Sequence, residues 1–314
     1  MKVLITGGLG QIGSHIAELL LERGDKVLVI DNLATGRKEH LKEHSNLEIV
    51  IGSIADISLM NRVMSYYLPD IIVHTAASYK DPNDWYSDSL TNCVGGSLVA
   101  SLAKKFEVKR IIYYQTALCY GLKPKENPIT LDHPRNPSGS SYAISKTTNE
   151  LYIEDSGVDY VTFRLANVIG PRNVAGPLPI FYQRLKDGKN CFVTNARRDF
   201  VFVKDLAQIT LKAIDGLGKG AYHFSSGKDV AVKELYDEVV SAMGFSTYPE
   251  PEIKELGADD VASILLDPSK TFKDFGQIEF TPLKETVKQG IEYYKEHGTL
   301  GEYTHLKLGK EQLK

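Results

Sequence analysis

The chain is poor in cysteine. Cys93, Cys119 and Cys191 are three in 314 residues, too few and too far apart for a disulfide framework or a zinc cluster. They suit a reducing, cytoplasmic compartment, and no metal site is expected. There is no run of about 18 apolar residues, so no membrane span is expected. Before Gly7 stands only Val3-Leu4-Ile5, the length of a strand and not of a signal-peptide core. There is no excess of one charge either. Lys+Arg is 37 against 40 Asp+Glu, a formal net charge of −3 with a pI near 6.3. A chain so balanced has no whole-molecule field to hold nucleic acid or an anionic membrane. Internal repeats and low-complexity segments are absent.

What is present is an ordinary globular composition, 42% hydrophobic and 25% charged. The length suggests about two domains. In the first half, short apolar strands at 3–6, 26–30, 47–51, 71–74, 110–115 and 160–164 alternate with helical patterns at 13–22, 57–68, 89–106 and 142–156. That alternation predicts an α/β fold, a Rossmann-type doubly wound parallel sheet with helices on both faces. The second half is less regular. Residues 170–180 read as a Gly/Pro loop, 181–186, 203–214, 232–243 and 283–297 as helices, and 191–194 and 221–225 as strands. Residues 249–266 mix Pro, Gly and acidic side chains, and the polar tail 306–314 is expected to be disordered.

The first strand runs into Thr6-Gly7-Gly8-Leu9-Gly10-Gln11-Ile12-Gly13, which then opens a helix. In that context Gly7 permits a tight turn, Gly10 lets backbone approach a pyrophosphate, and Gly13 lets the helix pack closely. The free N–H groups at Gln11 and Ile12 and the positive helix end suit phosphates. Asp31, 24 positions after Gly7, closes the second strand where a carboxylate accepts hydrogen bonds from ribose hydroxyls, with Asn32 next to it. A carboxylate there repels a 2′-phosphate, so NAD is expected over NADP; Arg37 and Lys38 are read as solvated. Ser53 and Ile54 are placed to flank the adenine. Ala76 and Ala77 leave a small-residue path for the nicotinamide ribose. Asn92 is placed to bind backbone or cofactor.

Tyr142 and Lys146 form Tyr-x-x-x-Lys, which stacks both side chains on one helix face. A phenol with a pKa near 10 is a poor base at neutral pH. A nearby ammonium and a positive nicotinamide would lower that pKa and make Tyr142 a base for a sugar hydroxyl. Thr116 ends the fifth strand, where ligands of open α/β sheets bind. Its hydroxyl is placed to bridge substrate and Tyr142, or else to satisfy its own turn.

With these residues in order, the sequence resembles the extended short-chain dehydrogenase/reductases. The matching stretches are TGGLGQIG, DN at 31–32, HTAA at 74–77, TALCYG, YAISK, RLANVIGPR, RDFVFVKDLA, DPSK at 267–270 and FTPLKETVKQGI at 280–291. Within that family it resembles nucleotide-sugar epimerases of the UDP-galactose 4-epimerase type. It is most similar to divergent epimerases of bacterial lipopolysaccharide O-antigen clusters, through AAxYKDPxDW and QTALCYG. The resemblance implies that Gly7, Gly10 and Gly13 hold the pyrophosphate and Asp31 the ribose. It implies a catalytic Thr116, Tyr142 and Lys146. It places Asn167 and Arg198 on a nucleotide-sugar diphosphate, with Phe192 stacked on the nucleobase.

Two departures stand out. An Arg usual three residues before the Asp matching Asp260 is here Gly257, and the family's Asn before the substrate-loop helix is Gly176. Both leave room for a modified sugar. Lys80, in a loop that differs from the usual one, would face an acidic substituent or solvent. The expected activity is epimerisation of a nucleotide sugar, a UDP-sugar at C4 through a transient keto sugar, for surface polysaccharide. Alternatives are a 4,6-dehydratase, disfavoured because Ala117-Leu118 follow Thr116 where an acid and a base belong, another NAD-dependent sugar-nucleotide enzyme, and a non-catalytic NAD sensor. Residues 1–166 with 199–226 are expected to form the NAD domain and 167–198 with 227–314 the smaller substrate-binding domain. A homodimer is expected through the helices near 89–106 and 142–156, with Val94, Leu98, Val99 and Leu102 supplying apolar surface.

Overall fold

The computed structural model describes residues 1–79, 81–256 and 261–300. Lys80, Gly257, Asp260 and the tail 306–314 lie outside the described residues, so the expectations attached to them stay with the sequence. The first part runs β1 (Lys2–Thr6), α1 (Gln11–Glu22), β2 (Lys26–Asp31), β3 (Leu47–Ile51), α2 (Ile57–Tyr67), β4 (Ile71–His74), α3 (Trp85–Asp88), α4 (Gly96–Lys105), β5 (Arg110–Thr116), α5 (Ser141–Asp155) and β6 (Tyr160–Leu165). The second part runs β7 (Asn167–Ile169), α6 (Pro177–Lys186), β8 (Phe192–Thr194), β9 (Arg197–Arg198), β10 (Phe200–Phe202), α7 (Val203–Ile214), β11 (Gly220–Phe224), β12 (Val230–Ala231), α8 (Val232–Met243), β13 (Glu252–Lys254), β14 (Ser263–Ile264), α9 (Ser269–Phe275) and α10 (Leu283–His297).

Seven strands form one parallel sheet in the order β11-β6-β5-β4-β1-β2-β3. The strands are apolar on both faces, as a sheet covered on both sides requires. Val3, Ile5, Val27, Val29 and Val73 pack on α1 and α7. Their neighbours Leu4, Leu28, Ile30, Ile72 and Ile111 pack on α2 and α4. The strand order reverses between β1 and β4, which opens a crevice at their carboxyl ends. A separate core holds the second lobe together: Leu178, Phe181 and Leu185 of α6, Leu235, Tyr236 and Val239 of α8, and Val287 and Ile291 of α10.

Three local differences from the sequence expectation have physical causes. The stretch read as a loop to residue 180 already turns helical at Pro177, because proline at the first helical position costs no hydrogen bond. The helix expected over 89–106 starts as a π-helical segment, Ser89–Gly95, before α4. A Cβ on Gly95 would sit 2.7 Å from Ile54, and one on Gly96 would collide with Asn149, so the two glycines let this segment lie against its neighbours. Within 249–266 lie two short strands, β13 on β8 and β14 on β9. Among the described residues no helix is long and apolar enough to cross a membrane.

Candidate active site

The crevice widens into a cleft of about 670 Å3 between the carboxyl ends of the sheet and the second lobe. Gly7, Gly10, Gln11 and Ile12 form one end. Gly7 has φ +68, and a Cβ there would lie 2.6 Å from the Ala76 nitrogen. The turn after β1 and the loop after β4 are therefore pressed together, which only glycine allows. Gly10 caps α1 without a side chain, so the first-turn N–H groups are left for a ligand. Gly13 does not line the cleft. Its Cβ would lie 2.6 Å from the Gly7 carbonyl, so its absence seats the helix on the turn. Among the described residues, the buried Nε2 of Gln11 has no partner.

Asp31 is buried at the end of β2 and lines the cleft. One carboxylate oxygen accepts from Leu9 N–H at 3.0 Å, the other from Leu33 N–H at 2.8 Å. Burial pushes its pKa up against those two bonds. Each oxygen keeps capacity for a ribose hydroxyl. Asn32 accepts from Ala34 N–H. Arg37 donates to the His297 carbonyl at 2.9 Å instead. Ser53, Ile54, Ala76 and Ala77 line the same end. Glycine cradle, uncapped helix, orphaned amide and ribose-type carboxylate together fit NAD.

Asn92 does not line the cleft. Its carboxamide accepts from Ser78 N–H at 2.9 Å and donates to Ser78 O at 3.0 Å and Ser145 Oγ at 2.9 Å. Two of these three bonds go to backbone and one to a side chain. Asn92 ties the loop after β4 to the helix that carries Tyr142. His74 lies beneath, bonded to Thr6 Oγ1 at 2.6 Å and to Asn149 Nδ2 at 2.9 Å. Burial holds its pKa at about 3, so the ring is neutral.

Thr116, Tyr142 and Lys146 all line the middle of the cleft. Ser140 caps α5 by accepting from Ala143 N–H at 3.2 Å, which fixes the turn presenting Tyr142. Thr116 Oγ1 accepts from Leu118 N–H at 3.2 Å, so its turn is satisfied while its hydrogen remains to donate. Lys146 is buried, its Nζ 4.2 Å above the Tyr113 ring. Burial lowers its pKa to about 7, against the raising influence of Glu150. The phenol of Tyr142 is pushed well above its ordinary value, first by burial and then by Tyr79 and Asp88. The lowering expected at Tyr142 is therefore not a property of the protein alone, because desolvation outweighs it.

The other end of the cleft is lined by Asn167, Phe192 and Arg198. Arg198 donates to the carbonyls of Arg197 and Val261 at 2.7 and 2.6 Å. Its neighbour Asp199 accepts from Ser225 Oγ, Ser226 N–H and Ser226 Oγ, which anchors the strand that presents it. Phe192 carries the Lys254 ammonium 4.6 Å from its ring centroid. Gly176 lines the cleft too, and a Cβ there would meet nothing within 4 Å. Arg172 pairs with Glu18 of α1 at 2.5 Å, pinning the loop that leads to Gly176. Sequence reasoning missed Ser78, Gln115, Asn149 and Arg164, whose roles depend on strand register and loop packing. It also missed Glu150, for which helical spacing was a signal.

A chain with this sheet, this glycine turn and this Tyr-Lys helix falls in a defined class. The family model described as NAD dependent epimerase/dehydratase family matches residues 3–224, and the chain belongs to that family. Its structure is similar to that of the Bordetella bronchiseptica enzyme WbmH in complex with NAD+, with 69% identity, a TM-score of 0.94, and 95% of this chain and 99% of that one covered. It is also similar to WbmG of the same organism, solved with NAD and UDP, at 41% identity, a TM-score of 0.87 and 97% of each chain covered. The UDP-glucose 4-epimerase of Mycolicibacterium smegmatis is 28% identical over 313 residues, covering 94% of this chain and 99% of its own. The chain is an NAD-dependent nucleotide-sugar epimerase, an isomerase-type enzyme, and its cofactor is NAD.

Proposed function

We propose that the chain epimerises a UDP-sugar at C4 through a transient keto sugar, in the making of surface polysaccharide. One observation carries this reading. Thr116, Tyr142 and Lys146 meet in a single cleft whose one end is the glycine turn with Asp31 and whose other end holds Asn167, Phe192 and Arg198. The cleft thus sets a dinucleotide end and a nucleotide-sugar end on either side of the catalytic groups. The polysaccharide role rests on the resemblance of 76–85 and 115–121 to O-antigen-cluster epimerases.

Bound NAD supplies the hydride acceptor for the sugar carbon and the donor on return. Tyr142 takes the hydroxyl proton and gives it back. Thr116 donates to the same sugar oxygen with the hydrogen its turn does not use. Lys146, while protonated, favours the phenolate. Arg198 offers a guanidinium to a diphosphate oxygen, a strong charge-assisted pairing, and Asn167 a carboxamide. Phe192 offers its ring to the base. Gly7, Gly10, Gln11 and Ile12 would hold the cofactor's pyrophosphate, with Gly13 seating the helix that presents them, and Asp31 and Asn32 would hold its ribose. Ser53 and Ile54 would serve its adenine, and Ala76 and Ala77 its nicotinamide ribose. The proposed division is 1–166 with 199–226 for the NAD part and 167–198 with 227–314 for the substrate part. β11 joining the central sheet and α6, α8 and α10 sharing a core support it, whereas Phe275 of α9 packs into the core of the first part and β10 pairs with β7.

We also propose a cytoplasmic homodimer. Of the four apolar residues expected to form its surface, Val99 and Leu102 belong to the core under α4, and Leu98 packs against it. Val94 is exposed, together with Leu90, Ile144, Leu151 and Tyr152 on the neighbouring segment and on α5. Solvated apolar side chains on two adjacent helices are what a second copy would cover.

The test is a panel of nucleotide sugars followed by NMR with purified protein. Interconversion of a C4 epimer pair without added cofactor and without net NADH is expected. A 4-keto-6-deoxy product would favour the dehydratase, but Ala117 and Leu118 offer no acid or base beside Thr116.

A further inference from the structure

The face of α5 that carries Tyr142 and Lys146 continues one turn further, to Glu150. Residues four apart on a helix are neighbours, and Glu150 is fully buried. A buried carboxylate is costly unless it is paired. One oxygen accepts from Arg164 Nε at 3.0 Å and lies 2.9 Å from its Nη2. The other accepts from Gln115 Nε2 at 3.0 Å and lies 3.3 Å from Arg135 Nη1. Arg135 is itself held by both oxygens of Glu154, at 2.9 and 3.0 Å. Charge therefore balances in two pairs, Arg135 with Glu154 and Arg164 with Glu150. Gln115 turns its other end to the active site, where its Oε1 accepts the Thr116 backbone N–H at 2.8 Å.

The surroundings of Lys146 come from several elements. Strand β5 contributes the Tyr113 ring and β4 the neutral His74. The lysine's own helix contributes Tyr142 and Glu150. Arg164 of β6 and Arg135 of the preceding loop stand behind Glu150. Two of these favour an ammonium: the ring face and the carboxylate.

We infer that Glu150 is a positioning residue of the reaction: its buried carboxylate, fixed by Arg164 and Gln115, holds Lys146 in its ammonium form and, through Gln115, sets the strand end that presents Thr116. The inference rests on the roles given above to Thr116, Tyr142 and Lys146. Without the carboxylate, the desolvation of Lys146 would be unopposed by it, and Arg164 would add a like charge nearby. Lys146 would then lose its proton at lower pH. The same group leaves a mark on stability. Its folded pKa, about 7, is below the ordinary 10.5, so the unfolded chain binds more protons between those values and stability rises with pH across that window.

The experiment compares wild type, Glu150→Gln, and the exchanged pair Gln115→Glu with Glu150→Gln, which moves the charge across one hydrogen bond. The pH dependence of kcat and KM is measured on the holoenzyme, and Tm against pH on the same proteins. In Glu150→Gln the basic limb of kcat and the onset of the Tm rise should both move down by about one pH unit, with KM little changed. The exchanged pair should move both back toward wild type. A limb that stays in place while kcat falls equally at every pH would overturn the inference, and so would an exchanged pair that restores neither readout. Should Glu150→Gln not fold, the exchanged pair alone decides, because it must keep the wild-type limb. Should Lys146→Met keep full activity, the catalytic reading fails, while the onset of the Tm rise still reports whether Glu150 holds the Lys146 charge.

Discussion

At the cofactor end of the cleft the protein presents mainly backbone; at the substrate end it presents side chains. Gly7, Gly10 and the uncapped start of α1 offer N–H groups fixed by a turn and a helix. Arg198, Phe192 and Asn167 sit on strands of two or three residues, held by neighbours such as Asp199. The first arrangement is fixed by the turn and the helix, and at Gly7 an added Cβ would lie 2.6 Å from the Ala76 nitrogen. The second is adjustable one residue at a time. A family that keeps one cofactor and varies its sugars needs that division. The catalytic helix α5 lies between the two ends and is tied to both sides, through Asn92 to the loop after β4 and through Glu150 to β5 and β6.

Substitutions separate the three regions. The largest effect is expected in the middle. Tyr142→Phe keeps the ring and should lower kcat by about 10²–10⁴-fold while the cofactor is retained, as absorbance of the purified protein will report. Lys146→Met should cost more. Thr116→Ser should stay far more active than Thr116→Val. Next comes the substrate end. Arg198→Ala removes a charged hydrogen bond of roughly 1.5–3 kcal/mol, so KM should rise by about 10–100-fold with cofactor content unchanged. The cofactor end should respond in the opposite way. Gly7→Ala forces a side chain into left-handed backbone at about 1–2 kcal/mol and against the Ala76 nitrogen, so Tm and bound NAD should fall together. Asp31→Ala should weaken NAD without that loss of Tm.

Acid should weaken all regions through buried histidines. Burial holds His40 and His223 at about 4 and His74 at about 3, below the ordinary 6.5. Each is neutral in the fold and takes a proton more readily when unfolded. Their contribution is fully present above about 6.5 and is lost as pH falls toward 4 and 3, so Tm should drop over that range. His223→Gln should flatten the drop. The smallest effect on bound cofactor is expected at Gly176. A methyl there has open space, but φ +87 with ψ −172 suits only glycine, so Gly176→Ala should cost about 1–3 kcal/mol of stability and change KM more than NAD content.

The same contrast explains what the sequence discloses. Gly7 to Gly13, Asp31, Tyr142 and Lys146 are legible because each motif is local and its elements are long and periodic. Gln115 and Arg164 are not, because they come opposite each other only in the pairing of β5 with β6, and register is not written in either strand alone. The two-residue strands β9, β12 and β14 have no period to detect. The π-helical turn at Ser89–Gly95 depends on the close approach of Ile54 and Asn149, which a linear reading cannot supply.

The central claim is that one cleft removes a hydride from a sugar carbon and returns it to the same carbon, with Tyr142 moving the proton. A UDP-sugar carrying deuterium at C4, incubated with purified protein in ordinary water and followed by NMR, tests it directly. The account predicts that the epimer forms with its deuterium retained and that Tyr142→Phe forms almost none. Loss of the deuterium to solvent, or an unchanged rate in Tyr142→Phe, would contradict it.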